Sequence, residues 1–179
     1  MKKYLLVLTA IFAVSELFAL GFSTVIKGKS GKFSTCEWES DPHNNPVPMK
    51  GKPGRKDYVW LKTRNKDFVI DMPVECKGLS VMYDTRAVMD GKMPSISVKS
   101  ANVSNAELKV NVKGKLKKGV YPLLASTGKK APAGKFRSIT FNGKNVSLGS
   151  TTAQGGLDYT IKLGSLDGKS QKDYILEVK

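Results

Sequence analysis

The sequence predicts an all-β domain, built as an antiparallel β-sandwich of the jelly-roll type, with a short β-solenoid as the alternative architecture. Apolar and polar residues alternate at period two, most clearly over residues 106–112 and 159–163, which is the spacing of a strand with one solvated face. No stretch after residue 21 keeps apolar residues at helical spacing for three turns. Glycine-bearing turns separate the apolar runs, as they do in sandwiches and barrels.

Residues 1–21 have the plan of a secretory signal peptide. Two lysines precede an apolar run over residues 4–14, and Ala19-Leu20-Gly21 offers small side chains at a cleavage site. Glu16 leaves the apolar run too short to anchor the chain across a bilayer. An uncleaved interfacial helix is the alternative. Cleavage after Gly21 predicts an exported protein that is secreted, attached to the cell surface or periplasmic.

The rest of the chain, residues 22–179, is predicted to form a single domain, because its length suffices for one core. Residues 22–56 are rich in Gly, Lys, Pro and Asn, with prolines at positions 42, 46, 48 and 53, so we expect a loop-rich segment with one or two edge strands. Residues 57–179 form the predicted β core.

The core contains most of the predicted strands. They cover residues 58–63, 68–72, 79–83, 95–99, 106–112, 121–126, 136–141, 146–149, 159–163 and 174–178. Asn142-Gly143 separates two of them, and this dipeptide favours the tight turn whose twist matches a β-hairpin.

The chain is strongly basic. It carries 30 Lys and Arg against 15 Asp and Glu, and removal of residues 1–21 leaves 28 against 14, a net charge of about +14. Such an excess favours acidic polysaccharides, cell-wall polymers or anionic membrane surfaces as partners. The alternative is a solvated lysine surface without a dedicated partner. Because the lysines follow no arginine–aromatic pattern, nucleic acid is the weaker expectation. The oligomeric state stays open.

Two lysine clusters are the candidate polyanion contacts. Each lies in a turn between predicted strands. The clusters comprise Lys113, Lys115, Lys117, Lys118, Lys129 and Lys130.

Cys36 and Cys76 are the only cysteines. In an exported domain two cysteines most simply pair, so the sequence predicts a Cys36–Cys76 disulfide. Two free buried thiols are the alternative.

The sequence contains no recognisable catalytic, cofactor or metal site. His43 is the only histidine, which argues against a His-based triad or a multi-His metal centre. We therefore expect a protein that is not an enzyme and binds no cofactor.

Four aromatic residues are the best candidates for stacking on sugar rings. Three of them, Tyr58, Trp60 and Tyr83, lie in predicted strands, where aromatic side chains more often belong to the core. Trp38, which precedes the proline-rich loop, is the one expected to be exposed.

Residues 100–179 resemble a known module. Its motifs are Ala106-Glu107-Leu108-Lys109-Val110, Gly119-Val120-Tyr121-Pro122-Leu123-Leu124, Gly134-Lys135-Phe136, Ile139-Thr140-Phe141-Asn142-Gly143 and Asp173-Tyr174-Ile175-Leu176. Together they resemble the C-terminal β-rich module of autotransporter-like, concanavalin-like bacterial surface proteins. The resemblance implies a cell-surface or secreted β domain and supplies no catalytic residue.

Taken together, these features predict an exported structural or adhesive β module. The alternative is a secreted protein that binds acidic glycans or cell-wall polymers through its lysine-rich turns.

Overall fold

The computed structural model describes residues 21–25, 30–40, 48–63, 66–82, 85–91, 95–128, 130–166 and 172–179. Over these ranges the chain forms strands and turns without a helix, and the predicted all-β class is therefore confirmed. The leader up to residue 20, together with His43, Tyr83 and Lys129, lies outside the described residues.

The described strands form two sheets. From edge to edge the larger sheet contains β14 (Thr151–Gln154), β15 (Leu157–Gly164), β16 (Asp173–Val178), β11 (Gly119–Ser126), β9 (Ile96–Asn102), β7 (Val74–Met82), β5 (Tyr58–Lys62), β1 (Gly21–Val25), β3 (Glu37–Ser40) and β4 (Pro48–Met49). The smaller sheet contains β13 (Lys144–Val146), β12 (Ser138–Phe141), β10 (Glu107–Val112), β8 (Arg86–Gly91), β6 (Asp67–Ile70) and β2 (Ser30–Lys32).

The central part of the chain alternates between the two sheets. β1, β5, β7, β9 and β11 pair in parallel in the larger sheet, and β2, β6, β8, β10 and β12 do so in the smaller one. Each successive pair of strands thus makes one coil of a two-sheet stack. The layers are those of the predicted sandwich, but the central pairing is parallel, as in the solenoid alternative.

Antiparallel pairing is found towards the ends of this stack. β3 and β4 continue the larger sheet beyond β1, and β16, β15 and β14 continue it beyond β11. In the smaller sheet β13 folds back onto β12 around Asn142 and Gly143, whose φ angles are 46° and 81°. Positive φ at both central residues is the geometry of the predicted tight hairpin.

The core lies between the two sheets and consists of side chains in cross-strand register. In the smaller sheet Ile70, Met89, Val110 and Phe141 occupy paired positions of successive coils, and each is at most 2 % exposed. Cross-strand apolar pairs of this kind are the main stabilising unit of a sheet. Each coil therefore buries its apolar face against the next coil as well as against the opposite sheet.

Trp38 belongs to this core, and the expectation that it is exposed is wrong. Its side chain is 2 % exposed. The indole packs edge-to-face against Phe33 at 5.2 Å and Phe68 at 6.2 Å between ring centroids. Because β3 pairs with β1, its inward residue covers the end of the core near β1, β2 and β6.

Candidate functional site

The outer face of the larger sheet carries a pair of partly exposed aromatic side chains. Tyr58 and Trp60 alternate along β5 with the buried residues Val59 and Leu61, so both rings project away from the core. Their ring centroids lie 6.2 Å apart and the ring planes are 30° from parallel. We call this pair the aromatic platform.

Glycine on the neighbouring strand makes room for the platform. Gly78 of β7 is the register partner of Tyr58, and a Cβ atom at this position would lie 2.4 Å from Tyr58 Cδ1. A contact under 3 Å does not persist between carbon atoms, so a side chain at position 78 would displace the ring. The absence of a side chain at position 78 therefore leaves the space that the phenol ring occupies.

Two lysine ammonium groups lie over the platform. Lys77 Nζ is 5.0 Å from the centroid of the Tyr58 ring, and Lys62 Nζ is 5.9 Å from that of the Trp60 ring. These distances are within the range of cation–π attraction, which at exposed sites contributes about 0.5–1 kcal/mol.

A groove of about 350 Å³ adjoins the platform at Lys77. We call it the basic groove, and it lies across β7, β9 and the residue that follows β11. It is lined by Arg55, Glu75, Cys76, Lys77, Ser97, Lys99 and Thr127. Its volume falls in the range of about 300–1,000 Å³ that is usual for small-ligand sites.

Cross-strand register brings the lysines of the groove together. Cys76 pairs with Val98 and Gly78 with Ser100, so Lys77 and Lys99 are neighbours on adjacent coils. In the described part of the chain neither ammonium group has an ion-pair partner. The wall they form is therefore positively charged.

The carboxylate in the groove is already engaged by an arginine. The Nε–H of Arg55 donates a hydrogen bond to Glu75. This bond and the arginine charge lower the pKa of Glu75, and the same contact raises the pKa of Arg55. Since one cation balances this acid, Lys77 and Lys99 leave the lining with a net charge of about +2.

On the outside of the smaller sheet, three cations are paired with acids. Asp67 accepts from Arg86 Nε at 2.6 Å and from Lys109 Nζ at 3.1 Å. Glu107 accepts from Arg137 at 2.6 Å. The Arg86–Asp67 and Arg137–Glu107 pairs join neighbouring coils, and the Lys109–Asp67 pair reaches from β10 across β8 to β6.

The predicted polyanion contacts are not brought together. Residues 113–118, with Lys113, Lys115, Lys117 and Lys118 exposed, precede β11, whereas Lys130 follows its end. The two ends of an eight-residue strand are about 25 Å apart. Residues 113–118 and Lys130 therefore lie at opposite ends of β11.

The predicted Cys36–Cys76 disulfide is wrong, because no disulfide joins the two cysteines. Cys36 directly precedes β3, Cys76 lies in β7, and β1 and β5 separate these strands. Three strand spacings amount to about 14 Å, whereas a disulfide requires Cα atoms within about 7 Å. Burial, followed by the charge of Asp57, raises the pKa of Cys76 to about 12, so its thiol is protonated at neutral pH.

In the described part of the chain no three His, Cys, Asp or Glu side chains lie close enough to hold a metal ion. None of the described residues forms a helix long and apolar enough to cross a membrane.

Comparison with protein families, with curated proteins and with solved structures finds no match for this chain.

Proposed function

We propose that this chain is an exported, non-catalytic β module that serves a structural or adhesive role at the cell surface. The observation that carries the proposal is the stack of coils. Strands β5 to β12 alternate between the two sheets and pair in parallel within each, and antiparallel strands continue the stack at both ends. Each coil of such a stack contacts its neighbours and displays an extended outer surface. A stack of this kind suits a scaffold better than an enclosed reaction site.

Two features of the sequence support export to the surface. Residues 1–21 have the organisation of a signal peptide, and residues 100–179 resemble the C-terminal module of autotransporter-like surface proteins. The excess of basic residues also favours attachment to anionic cell-surface polymers.

Labelling of intact cells tests this proposal. The full chain with a C-terminal epitope is produced in its native cells, which are treated with a membrane-impermeant amine-reactive biotin and then fractionated. We expect biotinylated protein on unbroken cells and an N-terminus at or near Phe22. A chain that begins at Met1 and is labelled only after lysis, as a cytosolic control protein is, would disprove export.

A deletion strain tests the role itself. Loss of the chain should weaken attachment of cells to polymer-coated surfaces or the integrity of the envelope, and the intact gene should restore it.

The second candidate function is binding of acidic glycans or wall polymers. It is favoured by the exposure of lysines in residues 113–118 and at Lys130, and by the unpaired lysines of the basic groove. Contacts between exposed charges weaken steeply with salt, since the Debye length is about 8 Å at 0.15 M. Retention on an acidic polysaccharide column at low salt, with elution at moderate salt, would support it.

A further inference from the structure

We propose that the aromatic platform and the basic groove together form a binding site for an acidic oligosaccharide. A sugar ring stacks on Trp60 and Tyr58, and a carboxylate or sulfate of the same or the next residue contacts Lys77 and Lys99. The inference deepens the second candidate function and takes its ligand class from it. It assigns the ligand to the face of the sheet rather than to the lysine-rich turns.

The platform fits a ring that is apolar on its faces and polar at its rim. Tyr58 and Trp60 present an apolar surface that is partly exposed, although aromatic rings on strands usually contribute to the core. Small hydroxyl side chains lie on the adjacent strands, because Ser80 is the register partner of Trp60 and Ser100 that of Gly78. Few and well-placed polar groups around an apolar surface are typical of ligand sites.

The lysines fit an acidic substituent. In the free protein Lys77 lies over the Tyr58 ring at 5.0 Å, in a partly exposed contact that is weak. A ligand carboxylate offers this ammonium a charge-assisted hydrogen bond, which is stronger than the contact it replaces. The flexible side chain therefore moves from the ring to the acid as the sugar covers the platform.

The arrangement favours a short acidic saccharide over nucleic acid. A nucleic-acid strand is bound by cations that follow its backbone and by bases that stack in succession. Here three lysines are grouped around a single pair of rings, with Lys77 over Tyr58, Lys62 over Trp60 and Lys99 in the adjoining groove. This grouping suits one charged sugar beside one stacked sugar.

Calorimetric titration of the full chain, at low salt, tests the site. The probe is a trimer of galacturonic acid, and its methyl ester, which keeps the rings and loses the charges, is the matched ligand. We expect the ester to bind about tenfold more weakly, as the loss of a charge-assisted contact implies. An oligothymidylate of equal charge should bind more weakly than the trimer, and tighter binding of the oligothymidylate would overturn the assignment.

Variants then locate the site. Substitution of Lys77→Gln together with Lys99→Gln should weaken binding of the trimer about tenfold or more, and Trp60→Ala should reduce it similarly. The control replaces Lys115, Lys117 and Lys118 by Gln, which removes more charge at a distant turn and should change the affinity less than twofold. The lysine variants alter only surface side chains, so they remain informative if Trp60→Ala does not fold.

The outcomes distinguish an error in the location of the binding site from an error in the proposed glycan-binding function. If the trimer binds but only the control variant loses affinity, the glycan-binding function stands and the assignment to the sheet face is wrong. If wild-type protein binds no acidic saccharide at low salt, both are wrong and only the structural role remains.

Discussion

Gly78 and Tyr58 are register partners on adjacent parallel strands, and the phenol ring of Tyr58 lies against the side of Gly78 where a side chain would project. The pairing of β5 with β7 therefore affects the position of an aromatic side chain on the outer face of the larger sheet. Because β7 carries no side chain at this position, the ring stays beside Trp60. The same strand places Lys77 over the ring.

The first prediction concerns this contact. Gly78→Ala should lower the free energy of unfolding by about 1–3 kcal/mol, because the new Cβ overlaps the ring and forces it away. Gly54→Ala is the control, since a Cβ there meets only Asp57 Oδ2 at 3.8 Å. Chemical denaturation followed by Trp fluorescence measures both variants. Equal stabilities of the two variants would show that the ring does not depend on Gly78.

The second prediction separates the two tryptophans. Trp38 is buried between Phe33 and Phe68, whereas Trp60 is partly exposed. The variant Trp60→Phe, in which only Trp38 emits, should show blue-shifted fluorescence that iodide quenches poorly. In Trp38→Phe, iodide should quench the remaining emission readily, because Trp60 is partly exposed. Similar iodide quenching in both variants would contradict this arrangement.

The strands were predictable where each has one buried and one solvated face. β10 is such a strand, with Leu108 and Val110 buried and Lys109 between them. β8 was missed because Ala87, Val88 and Met89 are all buried, so the alternation disappears. Parallel pairing was not predictable either, because alternation along one strand says nothing about which strand lies beside it.

The candidate site, like the parallel pairing, was not predictable from the sequence alone. Lys77 and Lys99 are 22 residues apart in the sequence and become neighbours only when successive coils are placed in register. The consecutive lysines at positions 117 and 118 were more conspicuous in the sequence. They precede β11, whereas the groove lies at the end of that strand, beside Thr127. Tyr58 and Trp60 were recognised as candidates for stacking, although their exposure depends on which face of β5 covers the core.

The third prediction concerns the cysteines. Burial raises the pKa of Cys76 to about 12, so almost no thiolate is present at pH 8 and the group should resist iodoacetamide in the folded protein. Cys36 is partly exposed and should react. After unfolding, both should be modified to the same extent, as peptide mapping by mass spectrometry can determine. A Cys36–Cys76 cross-linked peptide in a non-reducing digest would refute the separation of the two thiols.

The last prediction concerns Asp67 and the pH dependence of stability. Burial alone raises the pKa of this carboxyl group, but hydrogen bonds from Lys109 and Arg86 and their charges outweigh burial and lower it overall. A carboxylate whose pKa is lower in the folded chain stabilises that chain above its unfolded pKa of about 3.9. This contribution is lost as the pH falls through the lower, folded value.

Asp67→Asn should therefore reduce the free energy of unfolding by about 1 kcal/mol or less at pH 7, since Asp67 is 35 % exposed and solvent screens the pair. The difference between wild type and variant should shrink as the pH falls below about 4. A double-mutant cycle with Lys109→Met, measured by urea denaturation from pH 7 to pH 2, isolates the coupling between the two groups. A coupling that stays constant over this range would mean that the ionised carboxylate is not what links β6 to β10 across β8.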